Sequence, residues 1–167
     1  MQKKKICMLG SFSVGKTSLV RRYIESIYDE KYHTTVGVKV DKKPLQLNGE
    51  EVLLMLWDLA GDDDFQKLRI SYLTGASGYL LVVDGTRRAT LEKALELHER
   101  VQGELGPTPF VVALNKCDLA TDWEVTEEAE QGLHTRGWTV LRTSAKTGEG
   151  VEEAFGLLAR AMLGRKP

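Results

Sequence analysis

The chain has 167 residues, enough for one domain with a single core, and 42% of them are hydrophobic while 28% are charged. That balance excludes a disordered or fibrous protein. The 23 basic and 24 acidic side chains give a net charge of −1, so there is no cationic excess to bind nucleic-acid phosphates. We therefore expect one domain, residues 1–167, without a nucleic-acid partner.

Short apolar runs of strand length recur along the chain. They cover residues 6–9, 52–57, 79–83, 110–114 and 138–141. Residues 38–47 differ because they alternate imperfectly between apolar and polar side chains, which is typical of a strand near a sheet edge. The Asn48-Gly49 pair that follows favours a tight turn, so this strand is expected to form an antiparallel hairpin with the next.

Helical patterns lie between these strands. Residues 18–25, 91–105 and 151–162 place their apolar side chains on one face of a helix. Continuously apolar strands that alternate with helices indicate a mainly parallel sheet covered on both faces. The predicted fold class is therefore α/β, a doubly wound, mainly parallel six-stranded sheet with one antiparallel edge strand.

A glycine-rich segment follows the first predicted strand. Residues 10–17 read GSFSVGKT and fit the pattern G-x-x-x-x-G-K-[ST]. The glycines allow backbone N–H groups to converge on phosphate oxygens, and the start of the next helix adds its positive dipole end. Lys16 would neutralise phosphate charge and Thr17 would bind Mg²⁺. Kinases, ATPases and GTPases all use such a loop, so it predicts a phosphate site without naming the base.

Two further loops follow predicted strands at the edge where open α/β sheets bind ligands. One runs NKCD from Asn115 to Asp118, and the other reads TSAK at residues 143–146. Guanine presents N1–H and a 2-amino group side by side, and the Asp118 carboxylate can accept from both, whereas adenine lacks this pair. Asn115 would bind N7, the Ala145 N–H would bind O6, and the Lys116 stem would cover one ring face. The pattern favours a guanine nucleotide.

These segments, together with Thr35 and the DLAG stretch at 58–61, have the order and spacing of Ras-superfamily small GTPases, which the whole chain resembles. It is most similar to the Rab-type branch, because TVGV at 35–38 and WDLAG at 57–61 resemble the corresponding Rab sequences. The resemblance implies the P-loop NTPase fold of small G proteins. It also implies a switch that binds GTP or GDP with Mg²⁺ and hydrolyses GTP to GDP and phosphate.

The resemblance assigns roles to matching residues. Mg²⁺ would be held by Thr17 and Thr35, with Asp58 acting through water. Tyr28 would lie against the guanine, Tyr32 would cover the phosphates, and Gly61 would donate its N–H to the γ-phosphate. The catalytic residues would be Lys16, Thr35, Gly61 and Asp62. The nucleotide would contact Ser13, Val14, Gly15, Lys16, Thr17, Ser18, Tyr28, Tyr32, Thr35, Gly61, Asn115, Lys116, Asp118, Leu119, Ser144, Ala145 and Lys146.

Two positions depart from the family pattern beside the expected γ-phosphate. The family places glutamine directly after D-x-x-G to orient the attacking water, whereas this chain has Asp62. A carboxylate cannot donate the amide hydrogen bond and repels the phosphates. Phe12 replaces a residue that is usually small, and its ring could obstruct the water or an incoming arginine. We therefore hypothesise slow hydrolysis.

Several alternatives stay open at this point. Asp62, or Gln66 after a loop rearrangement, could serve as a base or water-positioner of its own, or the acidic triplet at 62–64 could be only a solvated loop. A module that binds nucleotide without hydrolysing it is the second function considered. A P-loop ATPase or kinase is the third, and it would prefer adenine.

Protein partners are expected through residues around 32–43 and 60–74, where an effector, an exchange factor and an activating protein would bind. Lys39, with Lys42 and Lys43 after it, stands where Rab-type proteins are usually acidic, which favours acidic partners or simply a solvated edge strand. Rab-type relatives usually end in a prenylated cysteine, which this sequence lacks. Without a signal sequence, a membrane span or that cysteine, we expect a cytoplasmic location and no membrane anchor.

Overall fold

Six strands form one sheet in the computed structural model, which describes residues 2–25, 38–59 and 70–164. The strands are β1 (Gln2–Leu9), β2 (Val38–Leu47), β3 (Glu50–Leu59), β4 (Ala76–Asp84), β5 (Phe110–Asn115) and β6 (Val140–Arg142). Their spatial order is β2-β3-β1-β4-β5-β6, and among them only β2 runs antiparallel to its neighbour. The predicted doubly wound sheet with one antiparallel edge strand is confirmed.

Helices cover both faces of this sheet. They are α1 (Lys16–Glu25), α2 (Ile70–Leu73), α3 (Arg88–Leu105), α4 (Glu127–Thr135) and α5 (Val151–Met162), with a 3₁₀ turn at Ala120–Asp122. On β1, Ile6 and Met8 face the layer of α1 and α5, while Cys7 and Leu9 face the layer of α3. Because side chains alternate across a strand and both faces are buried, the strand sequences read as apolar runs without alternation.

The hairpin between β2 and β3 forms as the sequence indicated. Asn48 and Gly49 have φ of +50° and +82°, the left-handed pair that a two-residue hairpin turn needs. The register then pairs Leu47 with Glu50 and Val38 with Leu59. β2 is the edge strand of the sheet.

Two details differ from the sequence prediction. β6 begins at Val140 rather than at residue 138, because the Trp138 ring packs against Phe110 and His98 at centroid distances of 5.2 and 4.6 Å instead of joining the ladder. The sequence also gave no forecast of α4. That helix buries only Leu133, so its apolar face is weak, although Thr126 caps it by accepting from the Ala129 N–H at 3.1 Å.

Within the described residues, no helix is both long enough and apolar enough to cross a bilayer.

Candidate nucleotide site

The phosphate loop, residues 10–17, lies between the end of β1 and the start of α1. Gly10 and Gly15 have φ of +151° and +103°, which L side chains rarely adopt. A Cβ on Gly10 would come within 2.4 Å of the Val82 carbonyl oxygen, and one on Gly15 within 2.3 Å of Asn115 Nδ2. Both positions therefore require glycine for backbone and steric reasons.

Five successive carbonyl groups of the phosphate loop accept hydrogen bonds from side chains. Lys16 Nζ donates to the carbonyls of Gly10 and Ser11 at 2.7 and 3.2 Å, Arg87 Nη2 to that of Phe12 at 2.9 Å, Lys116 Nζ to that of Ser13 at 3.0 Å, and Asn115 Nδ2 to that of Val14 at 2.9 Å. Carbonyl oxygens held in this way are drawn away from an anion. The arrangement suits a loop whose N–H groups receive phosphate oxygens.

The first turn of α1 contributes one expected magnesium ligand. Thr17 Oγ1 donates a hydrogen bond to Asp58 Oδ2 at 2.6 Å, and the Asp58 carboxylate is 1% exposed at the end of β3. Hydroxyl and carboxylate oxygens are hard donors of the kind Mg²⁺ prefers, so these two residues fit that ion. Thr35, the other expected ligand, lies outside the described residues.

A cavity of about 160 Å³ opens beside the phosphate loop. It is lined by Gly15, Ser18, Asn115, Lys116, Asp118, Leu119, Ala145 and Lys146. All eight are among the residues expected to contact the nucleotide. The structure thus brings together side chains from α1, from the loop after β5 and from the loop after β6.

Asn115 and Lys116 connect the cavity to the phosphate loop. Asn115 is 1% exposed, and while its Nδ2 bonds Val14, its Oδ1 accepts from Thr143 Oγ1 at 3.1 Å. Asp118 is held in turn, because its Oδ1 accepts from Ser144 Oγ at 2.7 Å. The two loops expected to bind the base are therefore fixed to each other.

Asp84 is a site residue that the sequence reasoning missed. It is 1% exposed at the end of β4, and its Oδ2 pairs with Lys116 Nζ and Arg87 Nε, each at 2.9 Å. Burial acts to raise the pKa of this carboxyl, but hydrogen bonds from Thr86, Lys116 and Arg87 outweigh it and leave the pKa lowered. A carboxylate directly after an apolar strand, as at Asp58, is the signal that could have found it.

Phe12 and Val14 occupy different environments although both belong to the phosphate loop. The Phe12 side chain is 38% exposed, whereas Val14 is fully buried in the core under α1. Val14 therefore takes part in the loop through its backbone. Leu119 at the cavity rim is 40% exposed.

The remaining expected site residues, Tyr28, Tyr32, Thr35, Gly61 and Asp62, lie outside the described part of the chain. So do Gln66 and most of the segments expected to bind partners.

The cysteines are free thiols. Burial, together with the hydrogen bond that its Sγ donates to Glu149 Oε2 at 3.0 Å, raises the pKa of Cys117 to about 12. Burial also raises the pKa of Cys7 to about 12. Neither thiol is activated as a nucleophile.

Comparison with known proteins agrees with this geometry. Residues 5–164 match the Ras family. The chain is 35% identical to the Ras-related protein Rab-4 of Dictyostelium discoideum over 153 residues, which covers 90% of this chain and 75% of that protein. The match includes both the phosphate loop and the two loops around the cavity. The chain belongs to the Ras family of small GTP-binding switch proteins.

Proposed function

We propose that a single guanine nucleotide spans the phosphate loop and the neighbouring cavity, and that the chain acts as a slow GTPase switch. The observation that supports this best is the direct connection of the two motifs. Asn115 and Lys116, from the base loop, bond the Val14 and Ser13 carbonyls at 2.9 and 3.0 Å. A nucleotide whose base lies in the cavity would therefore have its phosphates at the phosphate loop, whose carbonyls Asn115 and Lys116 bond.

Competition binding tests the nucleotide assignment. A fluorescent GDP analogue would be bound to the chain in Mg²⁺ buffer and displaced with GDP, GTP or ATP. We expect displacement by both guanine nucleotides and none by ATP at the same concentrations, because adenine cannot supply the donor pair for Asp118. Stronger displacement by ATP than by GDP or GTP would favour the adenine-specific alternative, an ATPase or kinase.

Mg²⁺ would be held by Thr17, Thr35 and Asp58, with the remaining positions taken by water and phosphate oxygens. When bound, the ion would neutralise charge on the β- and γ-phosphates. Thr17 and Asp58 already lie within 2.6 Å of each other, which supports a shared role at this end of the loop.

In the proposed reaction, a water oxygen attacks the γ-phosphorus while the bond from that phosphorus to the β–γ bridging oxygen breaks. The products are GDP and inorganic phosphate, and the proton of the water passes to the phosphate oxygens. Lys16 and the Gly61 N–H would stabilise the charge that develops on the phosphoryl oxygens. Thr35 and Asp62 would stand beside the attacking water.

Slow hydrolysis follows from the two unusual side chains. The Asp62 carboxylate cannot donate the hydrogen bond with which a glutamine amide helps to orient the attacking water, and its negative charge repels the phosphates. Phe12 is 38% exposed, and Arg87 Nη2 donates to its carbonyl. A ring there would restrict the space for the water or for an arginine supplied by an activating protein.

Single-turnover GTP cleavage tests this proposal. Asp62→Gln should accelerate cleavage on the order of a hundredfold, the effect of restoring one aligned donor. Asp63→Gln, the neighbour in the same acidic triplet, is the matched control and should cleave at the parental rate. No acceleration by Asp62→Gln would contradict the orientation argument. Undetectable cleavage in every variant would favour the alternative, a binding module switched by nucleotide exchange alone.

Partners would bind through residues around 32–43 and 60–74, and β2 and α2 lie in the described parts of this surface. Lys39 is 54% exposed and pairs with Asp41 at 3.8 Å, Lys42 is exposed, and Lys43 lies 5.1 Å from the Tyr23 ring. Lys39 and Lys42 therefore offer positive charge to an acidic partner.

Replacing both lysines with glutamate should slow the association of a partner selected on the GTP form. A cytoplasmic location remains a prediction.

A further inference from the structure

Arg22 reaches from α1 to the loop after β6. Its Nε donates to the Ala145 carbonyl at 2.7 Å, and its Nη2 donates to the Lys146 carbonyl. The guanidinium is a rigid planar fork, so two bonds to successive carbonyls fix the loop more firmly than two independent donors would. The side chain also lies 3.8 Å from where a Cβ on Gly148 would stand.

The other backbone groups of this loop are mostly satisfied internally. The Ser144 N–H donates to the Glu149 carbonyl at 2.9 Å, the Thr147 N–H to Ser144 Oγ at 3.1 Å, and the Gly148 N–H to the Ser144 carbonyl at 2.8 Å. No acceptor in the described part of the chain takes the Ala145 N–H, although Ala145 is only 5% exposed. Buried N–H groups are nearly always paired, so this one is suited to a ligand acceptor.

The direction of these groups follows from peptide geometry. In a trans peptide the C=O and N–H bonds point to opposite sides. Ala145 and Lys146 line the cavity and Arg22 does not, so carbonyls bonded to Arg22 are turned out of the cavity, and the Lys146 N–H, which shares a peptide with the Ala145 carbonyl, is turned toward it. Without that tether, either oxygen could rotate toward the cavity, where it would repel a carbonyl oxygen of the base.

We propose that Arg22 is a positioning residue for recognition of guanine O6. It holds the Ala145 and Lys146 carbonyls against α1, so that the Lys146 N–H, in the same peptide as the Ala145 carbonyl, faces the O6 oxygen beside the Ala145 N–H. This role rests on the proposed function, because it requires guanine in the cavity. It concerns the O6 acceptor, whereas Asp118 concerns the adjacent N1–H and 2-amino donors.

Three nucleotides distinguish the contact with O6 from the contact of Asp118 with the donor pair. GDP carries all the groups, inosine diphosphate lacks the 2-amino group but retains O6, and 6-thioguanosine diphosphate replaces O6 with a sulfur that accepts hydrogen bonds weakly. Affinities would be measured by displacement of a fluorescent GDP analogue from the parent chain and from Arg22→Ala. We expect the variant to bind GDP and inosine diphosphate roughly tenfold more weakly, the scale of one well-aligned hydrogen bond, and the thio compound less than about threefold more weakly.

Arg21→Ala is the matched control, because Arg21 neighbours Arg22 on α1 but pairs with Glu25 at 3.7 Å. It should weaken none of the three nucleotides selectively. If Arg22→Ala does not fold, Arg22→Lys, which keeps one donor, allows the same comparison with a smaller O6-dependent loss. An equal loss for all three nucleotides, or no loss, would overturn the positioning role. A parent chain that binds none of them would instead refute the proposed function.

Discussion

The phosphate loop and the loop after β6 differ in the number of side chains that bond their carbonyl oxygens. In both loops, carbonyl oxygens are bonded to cationic or amide side chains, which in the proposed complex would turn them away from the nucleotide. In the phosphate loop, Lys16, Arg87, Lys116 and Asn115 share five carbonyls. In the loop after β6, Arg22 alone bonds the carbonyls of Ala145 and Lys146 among the side chains described.

This difference teaches where the site is tolerant and where it is fragile. A loop tied by several donors loses a fraction of its order when one is removed, since the other bonds keep the backbone in place. In the loop after β6, removing the Arg22 guanidinium removes the contacts to both carbonyls together, although the other hydrogen bonds of the loop remain. We therefore expect the conformation of the phosphate loop to be disrupted most by a change in its backbone or in a group that holds several donors. Loss of any one donor should have a smaller effect.

The largest effect is expected from Gly15→Ala. The new Cβ would stand 2.3 Å from Asn115 Nδ2 at a φ of +103°, so both the loop and its bond to Asn115 must shift. GDP affinity should fall by at least about a hundredfold, equivalent to roughly 3 kcal/mol. Calorimetric titration measures it. Gly49→Ala, at a φ of +82° with no atom within 4 Å of the new Cβ, separates backbone strain from the clash and should retain GDP affinity.

A smaller effect is expected from Asp84→Asn, which releases two of the four donors. The neutral amide no longer pairs with Lys116 and Arg87, which should lower the free energy of unfolding by about 2 kcal/mol. Urea denaturation measures this change. Asp122→Asn, on the exposed 3₁₀ turn, should leave stability unchanged, and equal stability of Asp84→Asn and the parent chain would contradict the account.

The same carboxylate gives a pH dependence whose sign is fixed. Because the pKa of Asp84 is lowered in the folded chain, the unfolded chain binds its proton first as the pH falls below about 3.8. The contribution of Asp84 is therefore complete above that pH and is lost as the solution becomes more acidic. Asp84→Asn should flatten this part of the stability profile.

The smallest effect is expected from Arg87→Ala, which removes one donor and leaves three. Its side chain is 45% exposed, so the pair with Asp84 is screened by solvent and contributes less than about 1 kcal/mol. The dissociation rate of GDP should rise by roughly two- to fivefold. Arg88→Ala, at the next position, is the control for the loss of charge. A change as large as that of Gly15→Ala would show that the tethers are not redundant.

The sequence predicted what local patterns determine. Apolar runs, the Asn48-Gly49 turn and the spacing of residues 10–17 are signals within short segments, and the sheet, the hairpin and the position of the phosphate loop followed from them. The edges of parallel strands also indicated that the loops after β5 and β6 would lie together.

What the sequence did not predict depends on long-range contacts. Arg22 and Ala145 are separated by 123 residues, and Arg87 and Phe12 by 75, so no local pattern pairs them. The start of β6 was wrong because the packing of Trp138 outweighed the strand preference of its sequence. Asp84 was missed because one of its two cationic partners, Lys116, comes from the distant loop after β5.

The most direct test of the central claim is the base preference of Asp118→Asn. Xanthine carries an oxygen where guanine has its 2-amino group, so an asparagine at 118 can accept from N1–H and donate to that oxygen. Displacement assays with GDP and xanthosine diphosphate measure the preference. We predict that the parent chain prefers GDP and that Asp118→Asn prefers xanthosine diphosphate. An equal loss of both nucleotides would contradict the placement of the base against Asp118.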